Sequence, residues 1–319
     1  MDDTEGVGLR RRAAVIGMPV NHSLSPVLHR AAYTGLGLSD WSYEHRETEP
    51  EALPGLLDEL AAPAETGPIW AGLSVTMPHK QALLTHLDVI DPLAEAVGAV
   101  NTVVAQRSGA GEALLAGFNT DVAGIVGALR ETAGQTITGA AHSLPRVGRA
   151  VVLGSGATAC SALAALGELG AGHITVAARR HAGPGRALSA AHRMGLGVEA
   201  LTWKPTDPAS HTEVARRLAV ADVVVSTLPA GAADPLAGPL DEILDRSGGT
   251  RPGALMLDVV YAPWPTQIAE VWARGGGAVA PGWLMLLHQA VPQVQLMTGK
   301  QPDIEPMRTA LLSALTTQP

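Results

Sequence analysis

Residues 151–159, VVLGSGATA, decide the fold of the longer part of the chain. An apolar run typical of a buried strand ends at Gly154, and a helical run follows Gly156 and Ala159. The first glycine permits a tight turn, the second lets backbone approach a pyrophosphate, and the small Ala159 lets helix pack on strand. A helix N-terminus favours negative charge. We therefore predict a dinucleotide-binding βαβ unit; the alternative is a glycine turn without a ligand.

The next strand indicates which dinucleotide is bound. HITVAA ends at Ala178, and Arg179 and Arg180 follow. An enzyme that uses NAD places Asp or Glu there to hold the ribose 2′-hydroxyl. Two guanidinium groups match the charge and geometry of a 2′-phosphate instead. We predict NADP rather than NAD; the alternative is that both arginines end a strand in water.

The wider pattern is α/β. From residue 149 onward, Val/Leu/Ile-rich runs alternate with helical stretches, as in a parallel sheet buried on both faces. The first third alternates too, and it includes a predicted helix over residues 79–90. Residues 133–148 have the composition of a linker, and Pro292 is expected to kink or interrupt the first of two final helices.

Composition excludes several classes of protein. The 319 residues suggest about two domains, and 46% hydrophobic residues allow packed cores. A net charge of −8 argues against binding nucleic acid. No apolar stretch reaches the ~18 residues of a membrane span. One cysteine excludes an internal disulfide, and scattered histidines without a metal-ligand spacing argue against a metal site. We expect a cytoplasmic protein, monomeric or homodimeric.

Polar residues follow two predicted strands of the first third. Ser23 and Ser25 precede Pro26, which is expected to start a helix. Two hydroxyls there suit a carboxylate ligand, although one serine acting only as a helix cap explains the motif equally well. In GLSVTMPHK, His79 and Lys80 stand at the end of a strand, and either one is able to move protons; the alternative is an ordinary helix start at the surface.

Lysine is rare in this chain. The three lysines are Lys80, Lys204 and Lys300, against 19 arginines among the 22 basic residues. Lysine is able to give up its proton and arginine is not. Asp121 in GFNTDVAG also stands where a strand passes into a helix. A helix cap is the commoner role of such an aspartate, but ligands of open α/β sheets gather at the carboxyl ends of strands.

Taken together, the motifs resemble the shikimate dehydrogenase family. They occur in that family's order from about residue 15 to 315: GMPVNHSLSPVLH, GLSVTMPHK, GAVNTV, GFNTDVAG, VLGSGATA, DVVYAPWPT and MLLHQA. The resemblance implies an α/β substrate domain (1–121 and 284–319), a Rossmann-type NADP-binding domain (122–283), and an active site in the interdomain cleft. It also implies reversible, NADPH-dependent reduction of 3-dehydroshikimate to shikimate in aromatic amino-acid biosynthesis.

The resemblance carries residue roles as well. Lys80 and Asp121 become the catalytic pair. Substrate-binding residues are Ser23, Ser25, Thr76, Asn101, Tyr261 and Gln289. Cofactor-binding residues are Gly154, Ser155, Gly156, Ala157, Thr158, Arg179, Arg180, Thr227, Val259, Gly282 and Met285.

Elementary chemistry agrees with the catalytic pair. Hydride arrival at a carbonyl creates an alkoxide, which a lysine ammonium is able to stabilise and protonate. A neighbouring carboxylate keeps that lysine charged and in position. His79 is expected to be a residue of a first helical turn without a chemical role.

One departure and two alternatives stay open. The family's usual DGLGML is PGWLML here, with Pro281, Trp283 and Leu284 near the expected nicotinamide position. A quinate/shikimate dehydrogenase of broader specificity is one alternative, but its NAD-using members carry an acidic residue where Ala178 and Arg179 stand. A ligand-sensing homologue without catalysis is the other.

Overall fold

A computed structural model describes residues 10–63, 68–136 and 147–317. The described chain forms two compact units. The first unit comprises the described parts of Met1–Glu95, Val100–Thr120 and Ala290–Pro319. The second unit comprises Ala96–Ala99 and the described parts of Asp121–Gln289. Neither unit is therefore a single continuous segment of the chain.

The first unit is built on a mixed sheet. Its elements are β1 (Arg11–Gly17), α1 (Ser25–Gly35), β2 (Trp41–Glu47), α2 (Leu53–Ala61), β3 (Ile69–Val75), β4 (Val89–Ile90), α3 (Pro92–Val97, whose last two residues belong to the second unit), β5 (Thr102–Gln106), β6 (Leu114–Phe118) and α11 (Ile304–Thr317). The strand order is β2-β1-β3-β5-β6-β4. β1 is parallel to β2 and β3, β5 is antiparallel to both of its neighbours, and β4 is parallel to β6.

Helix α2 shows why this unit packs as it does. Its buried leucines recur at helical spacing, so one face is apolar. They are Leu53, Leu56, Leu57 and Leu60. They join a buried core with residues of β1, β3 and β5. Complete burial of one leucine is worth about 1.5–3 kcal/mol, so this face fixes the helix on the sheet.

The predicted helix over residues 79–90 is wrong. The chain instead makes a short 3₁₀ turn at Ala82–Thr85 and then strand β4. The Lys80 carbonyl accepts from Val100 N–H at 2.7 Å, and Leu84 N–H donates to Gln81 O at 3.3 Å. Leu83 N–H donates to His79 O at 3.1 Å, but a tertiary partner takes the Lys80 carbonyl and the next turn closes over three residues, so this single α-type bond does not extend into a helix.

The second unit is built on a parallel sheet. Its elements are α4 (Asp121–Thr136), β7 (Arg149–Leu153), α5 (Ala157–Glu168), β8 (His173–Ala178), α6 (Ala187–Arg193), β9 (Val198–Thr202), α7 (Pro208–Ala219), β10 (Val223–Ser226), α8 (Asp234–Ser247), β11 (Leu255–Asp258), α9 (Gln267–Arg274) and β12 (Ala278–Pro281). The order is β12-β11-β10-β7-β8-β9, with every pair parallel. This is the doubly wound dinucleotide-binding order, whose direction of winding reverses between β7 and β10. The predicted α/β class is confirmed.

Two further expectations need correction. Of the predicted linker 133–148, residues 133–136 belong to helix α4, and residues 137–146 lie outside the described part of the chain. Helix α10 (Gly282–Thr298) runs through Pro292 without interruption. An internal proline costs a helix about 3 kcal/mol. The apolar neighbours Ala290 and Val294 are fully buried, which offsets part of that cost.

Candidate active site

The glycine loop after β7 is shaped by close contact with the loop after β10. Gly154 has a φ of +108°, which L-residues with a side chain rarely adopt, and a Cβ there would collide with Thr227 Oγ1. Thr227 Oγ1 in turn donates to Leu153 O at 2.7 Å. The loop thus lies at the switch point of the sheet, where ligands of such folds bind.

The start of α5 is open to a ligand. Gly156 precedes the helix and supplies no side-chain cap, and a Cβ built on it would meet nothing within 4 Å. The first-turn residues Ala157 and Thr158 are half-buried. An uncapped helix N-terminus beside a glycine turn fits a pyrophosphate. Ser155 differs, because its buried hydroxyl accepts from Ala187 N–H at 3.0 Å and so holds the start of α6.

Arg179 and Arg180 lie immediately after β8, which is the neighbour of β7. Both side chains are exposed. Parallel neighbours end at the same edge of a sheet, so the arginines share that edge with the glycine loop. An exposed pair of cations at this position fits the 2′-phosphate of NADP.

The loop after β11 carries two of the predicted site residues, Val259 and Tyr261. It is organised by Asp258, which the sequence analysis did not single out. The buried Asp258 carboxylate accepts from Thr266 Oγ1 at 2.8 Å and from Val260 N–H at 3.2 Å. Burial raises the pKa of Asp258, and burial also raises the pKa of Tyr261.

Glycines bring α10 close to its neighbours within the second unit. A Cβ on Gly282 would collide with Val259 O. A Cβ on Gly124 of α4 would lie 2.8 Å from Gln289 Cβ and 2.8 Å from Met285 O. The predicted substrate ligand Gln289 and the predicted nicotinamide neighbour Met285 are both buried on this helix. Gly124 therefore sets how closely that part of α10 approaches α4.

The departure from the family motif lies at the join of β12 and α10. Pro281 ends the strand, whereas Trp283 and Leu284 fall in the first turn of the helix. Leu284 is buried and Trp283 is half-buried. PGWLML thus forms a regular strand-to-helix junction.

In the first unit, the turn after β3 is tied to the turn after β1. Thr76 N–H donates to Ile16 O at 2.9 Å, and Met18 N–H donates to Met77 O at 2.9 Å. A Cβ on Gly17 would collide with Thr76 Cγ2, so only glycine permits this approach. Thr76 itself is half-buried at the end of the strand.

His79 and Lys80 complete that turn. His79 is 1% exposed, and its Nε2 donates to the main-chain oxygen of Thr48 at 2.8 Å. The expectation that His79 begins a helix is wrong; it anchors the turn to the end of β2. Lys80 is half-buried, and its carbonyl is held by Val100 N–H. Main-chain and side-chain bonds on both sides thus fix the backbone that carries Lys80.

Ser23 and Ser25 lie together after β1. Their hydroxyl oxygens are 3.2 Å apart, and Ser23 Oγ also accepts from Ser25 N–H at 3.3 Å. The residue at the cap position of α1 is Leu24, which makes no side-chain cap bond. His45 Nε2 donates to Ser23 O at 2.7 Å and fixes the turn. Two hydroxyls at this separation are within reach of one carboxylate.

Asn101 is locked between the start of β5 and the end of β6. Its Oδ1 accepts from Thr120 N–H at 2.7 Å and from Thr102 Oγ1 at 2.9 Å. Its Nδ2 donates to Thr120 Oγ1 at 2.9 Å. Thr120 is followed by Asp121, the buried first residue of α4, where the helix N-terminus favours negative charge.

The first unit brings its predicted site residues to one edge of its sheet. Thr76 and Lys80 follow β3, the two serines follow β1, and Asn101 precedes the antiparallel β5. Val75 N–H donates to Asn101 O at 2.8 Å, which joins two of these segments directly. Asp121, Tyr261, Gln289 and the predicted cofactor residues belong to the second unit.

Two absences concern the described residues alone. Within residues 10–63, 68–136 and 147–317, no three His, Cys, Asp or Glu side chains cluster as metal ligands. In the same ranges, no helix is both long and apolar enough to cross a membrane.

The second unit combines a doubly wound sheet with a glycine loop and an arginine pair. The first unit has lysine, serines and asparagine at one edge of its sheet. These features define a nicotinamide-dinucleotide-dependent oxidoreductase. Family models agree: residues 15–103 match the shikimate dehydrogenase substrate binding domain and residues 282–312 the shikimate 5′-dehydrogenase C-terminal domain.

Individual relatives cover nearly the whole chain. The shikimate dehydrogenase (NADP(+)) of Citrifermentans bemidjiense is 38% identical over 97% of both chains. The shikimate dehydrogenase structure from Mycobacterium tuberculosis has a TM-score of 0.74 at 38% identity, covering 95% of this chain and 99% of that one. The Thermus thermophilus enzyme in complex with NADP(H) and shikimate has a TM-score of 0.72 at 34% identity, with coverage of 95% and 99%. The chain belongs to the shikimate dehydrogenase family, as its motifs predict.

Proposed function

We propose that this chain catalyses the reversible NADPH-dependent reduction of 3-dehydroshikimate to shikimate, a step of aromatic amino-acid biosynthesis. Its full-length relatives are named shikimate dehydrogenase (NADP(+)). The observation that carries the proposal is the polar edge of the first unit. There a half-buried Lys80 on a fixed turn shares one sheet edge with paired serines and a locked Asn101.

The catalytic pair in this proposal is Lys80 and Asp121. The carbonyl oxygen of 3-dehydroshikimate gains negative charge as its carbon is reduced. The ammonium group of Lys80 stabilises that charge, and the Lys80/Asp121 pair supplies the proton. In the reverse direction the same pair removes the proton from the shikimate hydroxyl.

Substrate recognition divides by chemistry. The hydroxyls of Ser23 and Ser25 hold the substrate carboxylate, supported by their 3.2 Å separation. The family resemblance assigns the ring hydroxyls to Thr76, Asn101, Asp121 and Gln289, and it makes Tyr261 a further substrate-binding residue.

The second unit fits NADP. The glycine turn and the uncapped start of α5 suit the pyrophosphate, and the exposed Arg179 and Arg180 suit the 2′-phosphate. The bound cofactor supplies hydride transfer to and from the substrate carbon. Val259, Gly282 and Met285 would hold its nicotinamide end, and Thr227 supports the glycine turn from the next strand.

A quinate/shikimate dehydrogenase of broader specificity is the second candidate. It is disfavoured because no carboxylate follows Ala178, where NAD-using members of that class carry one. A ligand-sensing homologue is the third, and the presence of both Lys80 and Asp121 favours an enzyme over it. A sensor would bind NADPH without turnover.

An absorbance assay of the nicotinamide band tests the proposal. The protein is assayed with shikimate and with quinate, each with NADP and with NAD. We expect turnover with shikimate and NADP, and much weaker rates in the other three combinations. Equal rates with quinate would favour the broader enzyme, a clear preference for NAD would refute the cofactor assignment, and no turnover would refute the enzyme. The expected cytoplasmic location and monomeric or homodimeric state also stay predictions, tested by fractionation and gel filtration.

A further inference from the structure

A buried glutamine of α10, Gln293, lies outside the proposed set of substrate- and cofactor-binding residues. Gln293 is 1% exposed and lies in the first unit. Its Oε1 accepts from Ser74 Oγ at 2.9 Å and lies 3.3 Å from His29 Nε2. Its Nε2 donates to Thr102 Oγ1 at 3.0 Å and to Asn101 O at 3.2 Å. All four contacts come from elements distant in sequence.

A neutral histidine, His29, lies beside the amide oxygen of Gln293. An amide oxygen only accepts, so His29 must carry its proton on Nε2, which leaves Nδ1 as an acceptor. Tyr33 Oη lies 3.5 Å from that Nδ1. Burial lowers the pKa of His29 to about 4, so the ring is neutral at neutral pH. The Gln293 N–H₂ group faces Asn101 O, a main-chain oxygen that only accepts, so the Gln293 oxygen faces His29 and Ser74.

The N–H₂ group of Gln293 is connected to the Asn101 side chain through the Thr102 hydroxyl. Because Gln293 donates into Thr102 Oγ1, the Thr102 hydroxyl proton is directed onward to Asn101 Oδ1, 2.9 Å away. Thr120 N–H donates to the same oxygen at 2.7 Å. A reversed Asn101 amide would place its N–H₂ group against both of these donors, which would leave buried polar groups unmatched and is therefore unfavourable.

We propose that Gln293 is a positioning residue that sets the amide orientation of Asn101 through the Thr102 hydroxyl. Asn101 then presents one fixed pattern of donor and acceptor to a ring hydroxyl of the substrate. This inference rests on the proposed function, in which Asn101 binds shikimate. The alternative is that Gln293 only fills space in the core of the first unit.

The test compares Gln293→Met, Thr102→Val and their combination in the full-length protein. Both substitutions keep side-chain volume and remove the hydrogen bonds. We expect each single variant to raise KM for shikimate roughly 5- to 20-fold, the range for one buried hydrogen bond, with KM for NADP and kcat changed less than about 3-fold. Because the bonds act in series, the double variant should be no worse than the more affected single variant.

Three controls separate positioning from packing. Thr102→Ser keeps the hydroxyl and should restore KM for shikimate to near the wild-type value. Ser74→Ala removes a bond only on the acceptor side of Gln293 and should leave that KM nearly unchanged. Thr175→Val makes the same substitution at a buried threonine of β8, whose hydroxyl bonds Glu199, and should affect neither KM.

Each outcome decides one question. Unchanged KM for shikimate in both single variants, or effects that multiply in the double variant, would overturn the relay and leave Gln293 as a packing residue. If Gln293→Met does not fold, the contrast between Thr102→Val and Thr102→Ser decides the proposal alone, and equal KM values would overturn it. A wild-type protein inert toward shikimate overturns the proposed function, and the relay to a substrate ligand with it.

Discussion

The two units present ligand-facing edges of opposite construction. At the edge of the first unit, buried side chains share hydrogen bonds, as Asn101 does with Thr102 and Thr120. At the edge of the second unit, the glycines Gly154 and Gly156 leave main chain open to the proposed cofactor, and the exposed Arg179 and Arg180 supply positive charge. Substitutions of residues that share hydrogen bonds should have non-additive effects, whereas substitutions of groups that do not contact one another should have additive effects.

The largest expected effect is at Lys80 of the first unit. Lys80→Ala should lower kcat at least ~100-fold, because the loss of a positioned acid–base group typically costs 10²–10⁴-fold. Shikimate should still bind, and stopped-flow or steady-state absorbance at the nicotinamide band measures both quantities. Lys204→Ala, at an exposed lysine of the second unit, is the matched control and should leave kcat unchanged.

The neighbouring histidine sharpens that prediction. His79→Ala removes the anchor of the turn to Thr48 but not the ammonium group, so it should lower kcat less than Lys80→Ala. Equal losses of kcat in the two variants would contradict the assignment of the acid–base role to Lys80 rather than to His79.

The next effect is at the glycine turn of the second unit. Gly154→Ala should raise KM for NADP by roughly 10-fold or more, because a side chain at φ +108° is strained and its Cβ would collide with Thr227 Oγ1. KM for shikimate should change little. Gly170→Ala is the matched control, since its φ of +71° carries the strain while nothing lies within 4 Å of a Cβ. Equal KM values for NADP in the two variants would argue against the cofactor turn.

Cofactor choice should respond more locally still. Arg179→Ala and Arg180→Ala should each raise KM for NADP by about 10-fold, as expected for a hydrogen bond to a charged group. KM for NAD should stay the same, because NAD lacks the 2′-phosphate. The two effects should multiply if each guanidinium contacts the phosphate separately. Parallel losses with both cofactors would show that the arginines are not selective.

The last effect appears only at acid pH and concerns the stability of the first unit. The pKa of His29 is about 4 in the folded protein and 6.5 without burial, so the unfolded chain binds more protons between these values. Stability is therefore complete above pH 6.5 and falls as the pH drops toward 4, by up to ~1.4 kcal/mol per pH unit. Tyr33 and Tyr43, which also face the ring, stay neutral because burial raises the pKa of both.

Thermal unfolding of wild type and His29→Gln between pH 4 and 7 measures this effect. The variant should show a flatter pH dependence of the first unit's unfolding midpoint, whereas His86→Gln, at an exposed histidine, should keep the wild-type slope. Identical slopes in all three proteins would contradict the assignment.

Local physics explains what could be predicted from the sequence. The turn at Gly154 is demanded by backbone conformation within a few residues, so its motif was sufficient to predict the dinucleotide fold. The prediction from Arg179 and Arg180 likewise depends only on their position directly after a strand. The helix predicted over residues 79–90 failed because Val100, twenty positions on, binds the Lys80 carbonyl.

Two residues with structural roles were not predicted from their motifs. Asp258 bonds within its own loop, to Val260 and Thr266, whereas the partners of Gln293 are identified only by the fold. Gln293 lies four positions after Gln289, and that spacing places both on one side of a helix, which was the available signal. Nothing local announces that its partners are Ser74 and His29, 219 and 264 positions away in the sequence.

The division of α10 between the two units bears on how the protein is made. Gln293 is synthesised 192 residues after Asn101, the residue whose main-chain oxygen it binds. At 5–20 residues per second, the ribosome needs roughly 10 to 40 s to bridge that interval. The Asn101–Thr102 segment of the nascent first unit must therefore wait for helix α10, and a chain that stops before Gln293 leaves Thr102 without the donor that orients its hydroxyl.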